Sequence, residues 1–245
     1  PDGRSRLYPR LQLEGETYLD LQERWTLLRT GRGYAIRDHE GTALRFETDG
    51  ARPGSLVLSA IEVPSGHRMQ FRYGPRGHLT EIVDGGGRSI ELTCDRAGRV
   101  TTICGPHSEL SAKVVWLRYQ YDSDGNLSAV TDADGYVTRY RYDNHLMVRA
   151  TDRNGLSFYW RYAGRETGAR CIHAWGDGQL FDYKFKYDDE HHITTVEDPR
   201  GRKIQYEHRR GLVVRTVDPL GATTHTAYDE FDRKLSETDA LGRVT

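Results

Sequence analysis

A tyrosine–acid dipeptide returns along the chain in the same local company, and it constrains the fold more than any other feature. Tyr121-Asp122 leads to Gly125, Leu127, Val130-Thr131-Asp132 and Gly135. Tyr142-Asp143 leads to Leu146, Val148, Thr151-Asp152 and Gly155. Tyr187-Asp188 is followed by Ile193, Val196, Asp198 and Gly201, and Tyr206-Glu207 by Gly211, Val214, Val217-Asp218 and Gly221. Tyr228-Asp229 precedes Leu235, Thr238-Asp239 and Gly242. Self-similarity at a short period marks a repeat architecture, in which each unit buries its apolar face only by stacking on its neighbours. Such a chain supplies a surface more readily than a reaction centre.

Between the dipeptides the pattern is that of strands. Residues 181–187 alternate, with Phe181, Tyr183, Phe185 and Tyr187 on one face and Asp182, Lys184 and Lys186 on the other. Tyr140 and Tyr142 oppose Arg139 and Arg141 in the same way. Phe158, Trp160 and Tyr162 share one side of a further strand, with Tyr159 and Arg161 on the other. Asp124-Gly125, Asp134-Gly135 and Asn154-Gly155 mark tight turns that need positive φ. Asp198-Pro199 and Asp218-Pro219 occupy the equivalent place, where proline presets φ. No helical periodicity persists, and the expected class is all-β, each repeat being two short antiparallel strands and two turns.

Two regions are expected: a pre-repeat β region over 1–65 and repeats over 66–245. The first shows strand-like runs at Leu7–Leu13, Trp25–Arg29 and Gly33–Arg37, with hairpin turns at Asp38–Gly41 and Thr48–Gly50. Weaker repeats begin near Phe71-Arg72-Tyr73. The chain starts without methionine and stops inside a repeat, and it reads as a piece of something longer.

Of the 245 residues, 35 are Lys or Arg and 36 are Asp or Glu, spread without a basic block, so nucleic acid is not an expected partner. No apolar run approaches the roughly 20 residues of a membrane span. Three cysteines, Cys94, Cys104 and Cys171, give neither a disulfide framework nor a close metal-binding pair.

Candidate chemistry reduces to turns and packing. Asp122-Ser123-Asp124-Gly125-Asn126 starts like a calcium loop but lacks the closing glutamate. His191-His192, and the set Cys104, His107 and His173, lack zinc spacing. Gly85-Gly86-Gly87 has no following Lys-Ser/Thr and reads as a hairpin tip. No Gly-x-Ser-x-Gly elbow is present. Alternating Arg and Tyr over 139–142 fits cross-strand packing better than base stacking. No catalytic residue, cofactor or metal is expected.

The pattern Tyr-Asp-x-x-Gly-x-Leu-x-x-Val-Thr-Asp-x-x-Gly is nearly complete over 121–135 and recurs with gaps over 71–245. It resembles the YD repeat of the Rhs (rearrangement hotspot) proteins, and is similar to repeats of insecticidal toxin-complex shells and teneurins. Tyr8-Pro9, Leu13, Gly15, Arg24-Trp25 and Leu27, then Gly33-Tyr34, Ile36, Asp38, Gly41 and Phe46, resemble the region preceding those repeats. The resemblance implies an antiparallel sheet spiralling into part of a hollow, cocoon-like shell that encloses a C-terminal toxin absent from this chain. It implies manufacture in a bacterial cytoplasm and delivery by a type VI-like apparatus. The implied partners are the remainder of the parent protein and its toxin, with a secretion spike and chaperone through other parts. The family's autoprotease signature, Pro-x-x-x-x-Asp-Pro-x-Gly, is missing; Asp218-Pro219-Leu220-Gly221 carries only its tail and reads as a repeat turn. The alternative is a binding module for glycans or a receptor, which a cluster of Trp116, Trp160 and Trp175 on one solvent face would favour.

Overall fold

The computed structural model describes residues 7–106 and 113–245. It falls into two units, the first ending at Arg118 and the second starting at Tyr119. Among the described residues there is no α-helix, only one turn of 3-10 helix at Asp177–Gln179.

The first unit is a meander of β1 (Thr17–Asp20), β2 (Trp25–Thr30), β3 (Gly33–Arg37), β4 (Ala43–Thr48), β5 (Leu56–Glu62), β6 (Arg68–Tyr73), β7 (Leu79–Val83), β8 (Ser89–Cys94), β9 (Val100–Pro106) and β10 (Lys113–Tyr121), whose last residues pass into the second unit. The second holds β11 (Leu127–Asp132), β12 (Val137–Asp143), β13 (Leu146–Thr151), β14 (Ser157–Tyr162), β15 (Cys171–Gly176), β16 (Tyr183–Asp188), β17 (Ile193–Glu197), β18 (Lys203–Arg209), β19 (Leu212–Val217), β20 (Thr223–Tyr228) and β21 (Lys234–Thr238). Within each unit every strand pairs antiparallel with the one before and the one after it. Among the described residues, the extensive strand contacts within each unit are between sequence neighbours.

The period-two alternation therefore sorts each sheet into two unlike faces. In the first unit Leu44, Ile61 and Met69 run across β4, β5 and β6 in register, and Phe71, Ile82 and Ile90 continue across β6, β7 and β8. The reverse face carries ion pairs such as Arg72–Glu81 at 2.8 Å and Arg45–Glu62 at 2.7 Å. In the second unit Phe158, Trp160 and Tyr162 oppose Tyr159 and Arg161 as the sequence pattern requires. Among the described residues the buried apolar side chains are Leu11, Leu27, Ala35, Ala43, Ala60, Ala129 and Leu146, most of them small. Many of the large apolar and aromatic side chains on the strands are half-buried, beside cross-strand neighbours.

Two sequence expectations fail locally. Residues 7–13 form no strand; the Glu16 carboxylate instead accepts the N–H groups of Gln12 and Leu13. The strand expected from Phe181 begins at Tyr183, because Gly178, Gln179 and Phe181 all take positive φ in a compact turn. Phe181 still stacks on Phe158, with ring centroids 6.4 Å apart.

Candidate functional site

The repeat residues build two recurring devices. The first is the turn. In Asp198-Pro199-Arg200-Gly201-Arg202 the Asp198 Oδ1 accepts the N–H groups of Arg200 and Arg202, each at 2.9 Å, while the Gly201 N–H donates to the Asp198 carbonyl. This is a type I turn closed by a glycine at φ +74°, the three-residue hairpin geometry that needs a left-handed residue. Asp122, Asp132, Asp152, Asp218, Asp229 and Asp239 close their turns identically, with Gly125, Gly135, Gly155, Gly221 and Gly242 in the glycine place and Asp232 taking it after Asp229. The aspartate or asparagine before the glycine keeps ordinary φ, unlike a two-residue type I′ turn.

An arginine four residues after the aspartate completes the device. Arg202 Nε donates to Asp198 Oδ2 at 2.7 Å, and Arg88, Arg99, Arg233 and Arg243 do the same to Asp84, Asp95, Asp229 and Asp239. The bonds from the Arg88 backbone and side chain hold the Asp84 carboxyl below its ordinary range, and Arg243 does so for Asp239. At Asp122 the partner is the Asn126 amide. At Asp132, where Tyr136 fills the arginine place, Arg153 reaches across at 3.2 Å and lies over the Tyr136 ring. Sequence reasoning missed this arginine, although its fixed spacing was visible.

The acid of the dipeptide serves this turn only at Asp122 and Asp229. Asp143 instead pairs with Arg165 at 2.6 Å beside a two-residue turn in which Asn144 and His145 both have positive φ. Asp188 accepts from His191, and Glu207 lies 3.5 Å from Arg215.

The second device involves the tyrosine. On β5, β13, β15 and β19 one extra residue, respectively Ser59, Val148, Ile172 and Val214, breaks register with the preceding strand. Such a bulge withdraws part of the backbone from the ladder. From the following strand, Tyr73 donates to Leu58 O (2.9 Å), Tyr162 to Met147 O (2.8 Å), Tyr187 to Cys171 O (2.8 Å) and Tyr228 to Val213 O (3.0 Å). In each case the acceptor directly precedes the extra residue. Burial pushes the phenols of Tyr73, Tyr162 and Tyr187 up, as it does that of Tyr142. Tyr206 stands beside β17, whose ladder with β16 has no bulge. Cys94 takes the tyrosine place on β8, its Sγ 3.9 Å from Leu79 O, just before the extra Thr80.

The densest polar cluster in the second unit surrounds Ser157, which is fully buried. Its Oγ accepts from Arg149 Nη2 at 2.9 Å and lies 3.0 Å from Thr151 Oγ1. Asp177 accepts from the Ser157 N–H at 2.8 Å and from the Tyr159 hydroxyl at 2.9 Å, and these bonds lower its carboxyl pKa. His173 Nε2 meets Asp182 at 2.8 Å, with its ring stacked 4.3 Å from Trp175. Ser157 is thus committed to Arg149 and Thr151, and His173 makes its hydrogen bond to Asp182. Serine, histidine and aspartate are near one another in sequence, yet they do not form a nucleophile–base pair.

The remaining candidates resolve as local structure. Gly85–Gly87 and Asp218–Gly221 are repeat turns. Among the described residues no three His, Cys, Asp or Glu side chains gather as metal ligands; His107 lies outside them. The three cysteines are free. Trp160 and Trp175 point to opposite faces, since Trp175 pairs with Tyr159, so the three tryptophans do not share one face. No described helix is long and apolar enough to cross a membrane.

Antiparallel hairpins, repeated and chained, with the same turn and the same tyrosine bond, define an all-β repeat protein. Comparison with known proteins identifies the repeat. The family model described as RHS Repeat matches residues 121–167 and 208–244. Curated relatives include the toxin protein Tse5 of Pseudomonas aeruginosa, 28% identical over 218 residues, and the double-stranded DNA deaminase toxin A of Burkholderia cenocepacia, 29% identical over 210. The matches take in 78% and 83% of this chain but 16% and 14% of those proteins. The probable deoxyribonuclease RhsB of Dickeya dadantii is 24% identical over 89% of this chain and 16% of its own length. Among solved structures, TcdB2-TccC3 without its hypervariable C-terminal region superposes with a TM-score of 0.51 at 11% identity, over 87% of this chain and 15% of that one, a likeness of fold. Residues 121–167 and 208–244 thus carry RHS repeats, and the chain is similar to Rhs-type toxin proteins over most of its length.

Proposed function

We propose that this chain is a wall segment of the shell of an Rhs-type toxin, enclosing a toxin domain carried elsewhere in the parent protein. The observation that carries this reading is the sheet of each unit, which sorts its side chains into two unlike faces. A wall needs one surface for solvent and another for contents, and a sheet with two unlike faces offers both. In this reading 1–65 leads into the repeats of 66–245. The side chains from Tyr121 to Gly242 that recur with the repeat have architectural roles, and the parent is delivered from a bacterium by a type VI-like apparatus. Its partners are the rest of the parent and the enclosed toxin. The similarity to toxin proteins of which this chain covers about one sixth supports such a placement. The commitment of Ser157, His173 and the turn aspartates to internal bonds supports a non-enzymatic role for the segment.

The test is native purification of the parent protein, followed by added protease and mass spectrometry. A fragment that stays bound and resists digestion until the complex is denatured is the expected result. A toxin domain digested at the same rate with and without the intact repeats would overturn the proposal.

A further inference from the structure

One face of the second unit carries more positive charge than its own carboxylates balance. Arg139 and Arg141 on β12, Arg149 on β13, Arg161 on β14, and Lys184 and Lys186 on β16 all project from it, as the register pairs Arg141↔Arg149, Arg149↔Tyr159, Arg161↔His173 and His173↔Lys184 require. The carboxylates on or near this face are Asp143, Asp177, Asp182, Asp188, Glu197 and Glu207, and each is engaged: with Arg165, with Ser157 and Tyr159, with His173, with His191, with Lys184 and Lys203, and with Arg215. Arg139, Arg141, Arg161 and Lys186 are exposed and make no ion pair among the described residues. Arg141 and Arg149 are directly opposed on neighbouring strands, an arrangement of like charges that destabilises a sheet. The fold gains nothing from that pairing, whereas an anion laid across it would be bound by both.

We propose that this face docks an extended acidic polypeptide segment, through Arg139, Arg141, Arg161 and Lys186. Two observations select that occupant. Arg139 and Arg141, like Lys184 and Lys186, are two residues apart on a strand, a spacing of roughly 7 Å. An extended chain with Asp or Glu at alternate positions presents carboxylates at the same interval, and arginine can take each one bidentately. The aromatic rings on this face are also already occupied. Tyr159 and Trp175 stack with centroids 5.5 Å apart, His173 lies on Trp175, and the Arg149 guanidinium sits over Tyr159 at 5.4 Å. Single-stranded nucleic acid would need those ring faces for its bases. The proposal holds whether or not the chain encloses a toxin.

The experiment uses the whole 245-residue chain. A fluorescein-labelled alternating Glu-Ser peptide is titrated at low ionic strength, with a Gln-Ser peptide and a single-stranded oligonucleotide of equal charge as comparisons. Saturable binding of the acidic peptide is expected, weakened by salt and by roughly tenfold in Arg141→Gln/Arg161→Gln. Arg96→Gln/Arg200→Gln, which removes two exposed charges elsewhere, should leave it unchanged. If the first double variant loses its β-sheet circular dichroism, the two single exchanges are read instead, and each should weaken binding by about twofold or more. Absence of saturable binding, equal loss in both double variants, or tighter binding of the oligonucleotide than of the peptide would each overturn the proposal.

Discussion

The hydroxyl of Tyr162 donates to the carbonyl of Met147 at 2.8 Å, and Met147 is the residue just before the extra Val148 of the β13 bulge. The same relation joins Tyr73 to Leu58, Tyr187 to Cys171 and Tyr228 to Val213. A bulge strands a carbonyl that the ladder no longer serves, and a half-buried polar group left alone destabilises the fold. The tyrosine of the repeat answers a defect in the neighbouring strand, which explains why phenylalanine is not its equivalent.

Tyr162→Phe should therefore destabilise the second unit by about 1 kcal/mol. Tyr206→Phe, beside an unbulged ladder, should change stability by much less. Urea denaturation of the two variants checks this, and equal effects would remove the bulge from the explanation.

The turn aspartates make stability depend on acid. Asp84 and Asp239 have carboxyls lowered by bonds from the backbone and side chain of Arg88 and Arg243. A lowered native pKa contributes stability that is complete above the unfolded aspartate value of about 4 and fades as pH falls through the native value. The urea midpoint should accordingly drop below about pH 4. Asp84→Asn should make that drop shallower. A steeper one would contradict the assignment.

Cys94 stands in a tyrosine place, and burial, aided by Asp95, raises its thiol pKa. In a variant with Cys104 and Cys171 changed to serine, iodoacetamide should react at pH 7 more slowly than with free cysteine. The rate should keep rising beyond the ordinary thiol pKa of about 8.5. A rate at or above that of free cysteine would place the thiol in a different environment.

Gly135 has φ +86° with open space around its missing side chain. Gly135→Ala should destabilise by about 1 kcal/mol through backbone strain alone, and Gly135→Asn by less, since asparagine tolerates this region better. A larger loss for asparagine than for alanine, read by thermal melting, would point to a clash that the geometry does not contain.

Much of this was legible in the residues. Alternation at 158–162 and 137–142 gave the strands and their faces, and Asp-Gly, Asn-Gly and Asp-Pro dipeptides gave the places of the turns, because both patterns are set by adjacent residues. What stayed hidden depends on the partner strand. The acceptor of Tyr162 is Met147, fifteen residues away, and it matters only because β13 slips against β12. Nothing within β13 announces that slip. The arginine clamp was visible as Asp-x-x-Gly-Arg at Asp84, Asp95, Asp198 and Asp239 but was passed over, since a surface arginine carries little meaning until its carboxylate is placed. The Asn144–His145 turn escaped because it has no glycine. The failed strand at Phe181 shows the same limit: three residues with positive φ interrupt a pattern whose polarity alone looks continuous.

Because each described strand within a unit pairs in the ladder with its predecessor and its successor, gene length and sheet length are coupled in steps of two. Excising β18 and β19 would bring β17 next to β20 with chain direction preserved and each sheet face still matched to its own kind. Excising one strand alone would reverse the direction of every strand that follows it. Insertions and deletions that survive in such genes should therefore remove or add whole Tyr-to-Tyr modules, and sequence comparison across the family can count them by parity.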